Sequence, residues 1–339
     1  SGSSGKNSNF NNDCSRHKVN IENRGVSAGF LSWFTFGTNF LEFAKIEAAK
    51  RVSTVEQELQ DLLQASCDTN GMNSELYKQR VQSLTEDVAK QKRYYEKAGV
   101  VTASVCKDVV RPFTSKSGFC RFVELKSIAS DLKSIGNGCE HWIGEASYFV
   151  SHAWGGQWLD LVQMIIRHSN AIVRAGGDPP IYWLDIFAVN QWKNTAAQIE
   201  DMPPAFGPDL GGFYQVLNHT NKLIFAIGSL EMPLPLGRSW CLYELWVCQN
   251  VNADLLVMFT KESESQMFGN ASEIVELSKK VDLIDLEQAE AGRPEDKIQI
   301  LEHVVASSGG VVALNQATKE VLFTSIVQAF DRELYILEG

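Results

Sequence analysis

Two neighbouring runs decide the fold: Lys222-Leu223-Ile224-Phe225-Ala226-Ile227 and, after a proline-bearing loop, Gly237-Arg238-Ser239-Trp240-Cys241-Leu242-Tyr243-Glu244-Leu245. The first is an uninterrupted apolar run and reads as a buried strand. The second reads as a helix, with Glu244 one turn past the Trp240-Cys241 pair. A carboxylate in the opening turns of such a helix lies at the carboxyl edge of the sheet, where open parallel sheets bind ligands. The competing reading makes Trp240, Leu242, Leu245 and Trp246 a core face and turns Glu244 to water.

Upstream and downstream, the same alternation continues. Strands are expected near 146–150, 181–186, 222–227, 254–259 and 281–284. Helical periodicity separates them over 157–175, 213–220, the Trp-Cys segment and around 272–280; two more helices close the chain at 294–307 and 316–337. Strands alternating with helices predict a parallel sheet covered on both faces. The expected fold class is α/β, a flavodoxin-like five-stranded parallel sheet preceded by an N-terminal α-helical hairpin.

The hairpin is read from residues 38–99. Ala48, Val52, Val55, Leu59 and Leu62, then Tyr77, Val81, Leu84, Val88, Gln91, Tyr95 and Ala98, recur at alternating intervals of four and three, the spacing of a coiled-coil seam. Cys67-Asp68-Thr69-Asn70-Gly71 supplies the turn. Such a hairpin buries little by itself and is expected to pack on the main domain or another chain. Before it, Gly29-Phe30-Leu31-Ser32-Trp33-Phe34-Thr35-Phe36 is the most aromatic segment and is expected to plug the adjoining core, with an interfacial anchor or a partner surface as the alternatives. Four segments follow: 1–37, an irregular start resembling an expression-tag remnant plus the aromatic run; 38–99, the hairpin; 100–144, a lead-in; and 145–339, the α/β domain with its closing helices.

Composition narrows the function classes. A net charge of −10 argues against sequence-independent nucleic-acid binding. No apolar run has the length of a membrane span. Seven cysteines, at 14, 67, 106, 120, 139, 241 and 248, show neither a Cys-x-x-Cys pair nor a zinc-type spacing. They predict reduced thiols, an intracellular and cytoplasmic setting, and no bound metal. The acidic stretch from Asp282 to Asp296 lacks the EF-hand pattern and reads as a solvated loop. No phosphate loop, dinucleotide fingerprint or Gly-x-Ser-x-Gly elbow occurs.

Three loops leave the carboxyl ends of the first three expected strands. They carry Ser151, His152 and Trp154; Asp185, Phe187 and Asn190; and the approach to Trp240 and Glu244. In a flavodoxin-type order these residues crowd one cleft at the switch point. Hydroxyl, imidazole, carboxylates and aromatic faces suit a ligand with sugar hydroxyls and flat rings.

Tyr148-Phe149-Val150-Ser151, the Asp185 strand end and Ser239-Trp240-Cys241-Leu242-Tyr243-Glu244-Leu245 together resemble a Toll/interleukin-receptor homology (TIR) domain over about 145–285. Phe149-Val150-Ser151-His152-Ala153-Trp154-Gly155 and Trp183-Leu184-Asp185-Ile186-Phe187-Ala188-Val189-Asn190-Gln191 are closer to a divergent TIR-like group of algal and other protist proteins. Arg111-Pro112-Phe113-Thr114 and Cys120-Arg121-Phe122-Val123-Glu124-Leu125 extend that resemblance upstream to about Val110. The resemblance implies a protein-interaction or signalling module of a larger assembly, with protein partners or self-association. It also implies NAD as a substrate, cleaved between nicotinamide and ribose with Glu244 as the catalytic carboxylate. A nucleotide sensor without turnover is the remaining alternative. Trp154 or Phe187 would stack on a ring, and Asp185 would bond a ribose hydroxyl or cap its own loop. The loop after the second strand is longer and richer in proline than the family's, and His152-Ala153-Trp154 replaces its more common charged segment.

Overall fold

The computed structural model describes residues 19–67, 78–86, 99–117, 120–136, 139–192, 210–307 and 309–338. Among them, six strands form one sheet: β1 (Gly25–Ser27), β2 (Ile143–Gly144), β3 (Tyr148–His152), β4 (Ile181–Trp183), β5 (Lys222–Gly228) and β6 (Asp254–Phe259). The longer helices are α1 (Phe40–Cys67), α2 (Lys126–Ile135), α3 (Trp158–Arg174), α4 (Leu210–Thr220), α5 (Ser239–Asn250), α6 (Lys261–Gly269), α7 (Ala271–Asp282), α8 (Pro294–Ala306) and α9 (Gly310–Glu338). None of the described helices is long and apolar enough to cross a membrane.

The strand order is β2-β1-β4-β3-β5-β6. β4, β3, β5 and β6 are parallel neighbours, while β1 runs antiparallel to both β2 and β4. The expected five-stranded parallel sheet is therefore corrected to a six-stranded mixed one. The fifth expected strand, 281–284, is the end of α7 and the turn after it. Val281 and Ile284 are buried while Leu283 is 81% exposed, so the apolar spacing there is helical. β4 is also shorter than expected, because Asp185–Ala188 closes into a helical turn.

The N-terminal segment is not merely an irregular start: Gly25-Val26-Ser27 adds a strand to the sheet edge beside β4. Gly25 takes part for a packing reason, since a Cβ there would lie 2.5 Å from Ile181 Cγ2. The aromatic run plugs the core as expected: Phe30, Leu31 and Phe34 are fully buried, and Phe34 packs edge-on against Phe122, Trp158 and Phe187. The lead-in also contributes core, through Val105, Val109, Val110, Phe122, Leu125, Ile128 and Leu132.

The sheet separates two apolar layers, following the period-two alternation of its strands. Phe149, Leu223, Phe225, Ile227, Val257 and Phe259 face α4, α5 and the closing helices. Val26, Val150, Tyr182, Ile224 and Ala226 face α3 and the aromatic plug.

Helix α1 covers the first arm of the expected hairpin, and a helical segment at 78–86 lies within the second. Arg80 is ion-paired with Glu58 across them. Val52, Val55, Leu59, Leu62 and Val81 are half-buried and Leu84 is buried, so the described seam is shallower than a full coiled-coil interface. Tyr77, Val88, Gln91, Tyr95 and Ala98 lie outside the described residues. The base of α1 is anchored on the main body. Phe40 packs edge-on against Phe113, and Arg51 makes a bidentate ion pair with the buried Asp108.

Candidate functional site

The carboxyl ends of β3 and β4 and the first turns of α5 meet at one edge of the sheet. Ser151 and His152 are the last residues of β3 and, by alternation, leave it on opposite faces. Asp185 opens the helical turn that ends β4. Glu244 lies on α5, whose start is fixed from two sides. Ser239 donates its hydroxyl to the Ala289 carbonyl at 3.1 Å and its N–H to the Glu290 carbonyl at 2.9 Å. The Tyr243 hydroxyl, one residue before Glu244, meets His303 Nδ1 at 2.9 Å.

Glu244 is buried, and no described cation forms an ion pair with it. Burial pushes its carboxyl well above the usual carboxylate range; the Asp185 charge raises it further, and the nearby Ser151 hydroxyl opposes both. Ser151 Oγ is nevertheless buried and lacks a hydrogen bond of good geometry. The same hydroxyl faces Cys241, whose thiol is raised by burial and then by Glu244. Cys241 was not singled out in the sequence as part of the site, although its place three residues before Glu244 puts both on one helical face.

Asp185 is held by Trp154, whose Nε1–H donates to Oδ2 at 2.8 Å. Its other oxygen, Oδ1, is buried, has no hydrogen-bond partner, and lies 3.9 Å from the equally unpartnered Nε2 of His152. Burial lowers the His152 pKa from 6.5; Asp185 and a hydrogen bond to the Val150 backbone oppose that shift. His152 is therefore neutral at pH 7. Nε2 and Oδ1 stand 3.9 Å apart, too far for a direct hydrogen bond, so each is left with an open hydrogen-bonding position.

The loop carrying Trp154 is pinned by the lead-in. Ala103 N–H donates to the Trp154 carbonyl at 2.9 Å, and Thr102 N–H to the Gly156 carbonyl at 3.1 Å.

Three expected site residues lie elsewhere. Phe187 is fully buried between Phe30, Phe34, Phe122 and Trp158 and cannot stack on a ligand. Asn190 is buried and accepts the Trp192 N–H at 2.9 Å, taking the loop-capping role considered for Asp185. Trp240 is committed to Asp296 Oδ2 at 3.1 Å and to the edge of Phe213. That bond also corrects the solvated reading of the acidic stretch at Asp296, which is buried and further paired with Arg293.

The cysteines need one correction. Cys106, Cys139, Cys241 and Cys248 are free and buried, but Cys120 is disulfide-bonded. Spacing along a chain does not reveal which cysteines a fold brings together. No protein-family model, no curated protein and no solved structure matches this chain.

Proposed function

We propose that this edge of the sheet is the ligand site of a TIR-like module and that it cleaves NAD between nicotinamide and ribose. The observation that carries the reading is the cluster itself: among the described residues, Ser151 Oγ, His152 Nε2 and Asp185 Oδ1 are buried without hydrogen-bond partners beside a buried carboxyl with no cation. Unsatisfied buried polar atoms each cost about 1–3 kcal/mol, and a fold retains them where a ligand completes them. Ribose hydroxyls, which both donate and accept, would complete Nε2 and Oδ1.

Glu244 takes the electrostatic role. Burial disfavours its ionised form, and the positively charged nicotinamide ring favours it. As the glycosidic bond breaks, the bonding electrons leave with neutral nicotinamide and the ribose becomes oxocarbenium-like. A carboxylate beside C1′ stabilises that charge. Water then adds to C1′ and releases its proton, giving ADP-ribose. Trp154 keeps Asp185 oriented.

A second reading treats the chain chiefly as an interaction or signalling module. It is favoured by large apolar side chains exposed on the closing helices: Ile298, Val305, Val312, Phe323 and Val327. Turnover separates the two. Glu244→Gln preserves shape and removes the ionisable group, and loss of one electrostatic stabiliser lowers kcat about a hundred- to a thousandfold. If assembly is the function, Phe323→Glu weakens it, and Glu244→Gln changes nothing that NAD can report.

A further inference from the structure

Arg111 stands at the junction of the π-helical turn Cys106–Val110 and the helical turn Arg111–Lys116, its N–H bonded to the Cys106 carbonyl. Its guanidinium lies over the Trp192 ring, with Cζ 4.4 Å from the centroid. Trp192 is a fixed platform. Its Nε1–H donates to Thr114 Oγ1 at 2.9 Å, and its backbone N–H donates to Asn190 Oδ1 at 2.9 Å. Thr114 is itself buried and donates its hydroxyl to the Val110 carbonyl at 2.8 Å.

This platform adjoins the candidate site. Gln191, the residue before Trp192, donates Nε2–H to the Asp185 carbonyl at 2.8 Å. Cys106 lies within the electrostatic reach of both Asp185 and Arg111. Other guanidiniums nearby are neutralised: Arg24 and Arg121 share Glu124, and Arg238 pairs with Glu290 at 3.6 Å. Arg111 is exposed and, among the described residues, forms neither an ion pair nor a side-chain hydrogen bond. A stacked guanidinium is covered on one face while its N–H edge stays free, and that edge matches the two oxygens of an oxyanion.

We infer that Arg111 is an anion-recognition residue of this site and binds a phosphate group of the ligand whose hydroxyls meet Asp185 and His152. The inference rests on the NAD reading and adds to it a contact from outside the parallel sheet. It also answers a charge problem, because a phosphate must approach Asp185 on a protein of net charge −10. Arg111 supplies the compensating charge on a side chain that Trp192 already orients.

The test is equilibrium titration of the full chain, in the cold and at low salt, with two probes that share the nicotinamide–ribose bond. NAD carries a pyrophosphate, whereas nicotinamide riboside has none. Arg111→Gln keeps a side chain of similar length and removes the charge; circular dichroism checks the fold. The expected result is NAD binding weakened about tenfold or more, with nicotinamide riboside binding unchanged. Arg111→Lys, which keeps the charge and loses the planar fork, is expected to fall between. Equal weakening of both probes, or no weakening of either, overturns the inference and leaves the NAD reading standing. A wild-type protein that binds neither probe overturns both.

Discussion

Among the described residues Glu244 has no counter-ion, and that fixes how its charge couples to stability. Its folded pKa is raised well above 4.5, chiefly by burial. The native state therefore holds a proton that the unfolded chain releases. Stability associated with this proton is fully present below pH 4.5 and is lost as pH rises through the raised folded value. Glu244→Gln removes the cost of ionisation, so its melting temperature is expected to gain on wild type as pH rises from about 5 to 9. A melting-temperature difference constant across that range would mean that Glu244 is not buried as described. The residues of this cluster were legible in the sequence for one reason: Ser151, His152, Trp154 and Asp185 sit at or just after a strand end and Glu244 on the helix that follows β5, so the topology brings them together. Phe187, Asn190 and Trp240 were misassigned because residue type and strand proximity do not tell which way a side chain turns. Phe187 turns into the aromatic plug, Asn190 into its own loop and Trp240 toward Asp296.

At the scale of elements, helix α1 and the lead-in form a chain of contacts that ends at the site. Arg51 holds Asp108, and the lead-in residues Thr102 and Ala103 bond the loop that carries Trp154. Asp108 is 4% exposed as a side chain and Arg51 about a quarter exposed. Arg51→Ala leaves a buried carboxylate without its cation and is expected to cost about 2–3 kcal/mol, measured by chemical denaturation. A cost below about 0.5 kcal/mol would show that the arm is not coupled to the body. In the seam, Val55 and Val81 are half-buried. Val55→Asp and Val81→Asp are each expected to cost about 1 kcal/mol, and unchanged melting temperatures would mean a solvated seam. Two of the parallel strands, β5 and β6, could be read from apolar runs of five residues, Leu223–Ile227 and Leu255–Phe259, and β3 and β4 from shorter aromatic-rich runs. β1 and β2 could not: each has two or three residues, and Val26 is the lone large apolar residue in Gly25–Ser27. Val281–Ile284 misled for the converse reason, since three apolar residues in four, broken by Asp282, serve a helix end as well as a strand.

For the molecule as a whole, charge and apolar surface point to different behaviours. His152 and His168 are both neutral in the fold, His168 lowered to about 4, chiefly by burial. A histidine whose folded pKa is depressed contributes stability that is complete above pH 6.5 and is lost as pH falls toward the folded value. The two histidines are therefore expected to cost stability as pH falls from about 6.5 to 4, against the opposite contribution of Glu244; His168→Gln is expected to gain on wild type over that range, and identical pH profiles for the two proteins would contradict it. On the far helices, Val312, Phe323 and Val327 of α9 are exposed at 80%, 51% and 42%. If that face serves assembly, Phe323→Glu reduces concentration-dependent association in sedimentation without affecting NAD cleavage. The central claim is that the edge formed by Ser151, His152, Asp185 and Glu244 turns over NAD, and free nicotinamide reports it most directly. Concentrated wild-type protein incubated with NAD is expected to release nicotinamide and ADP-ribose in equal amounts, resolved by chromatography, and Glu244→Gln is expected to release neither above background. Wild-type protein that releases no nicotinamide, even when concentrated or clustered, would contradict the account.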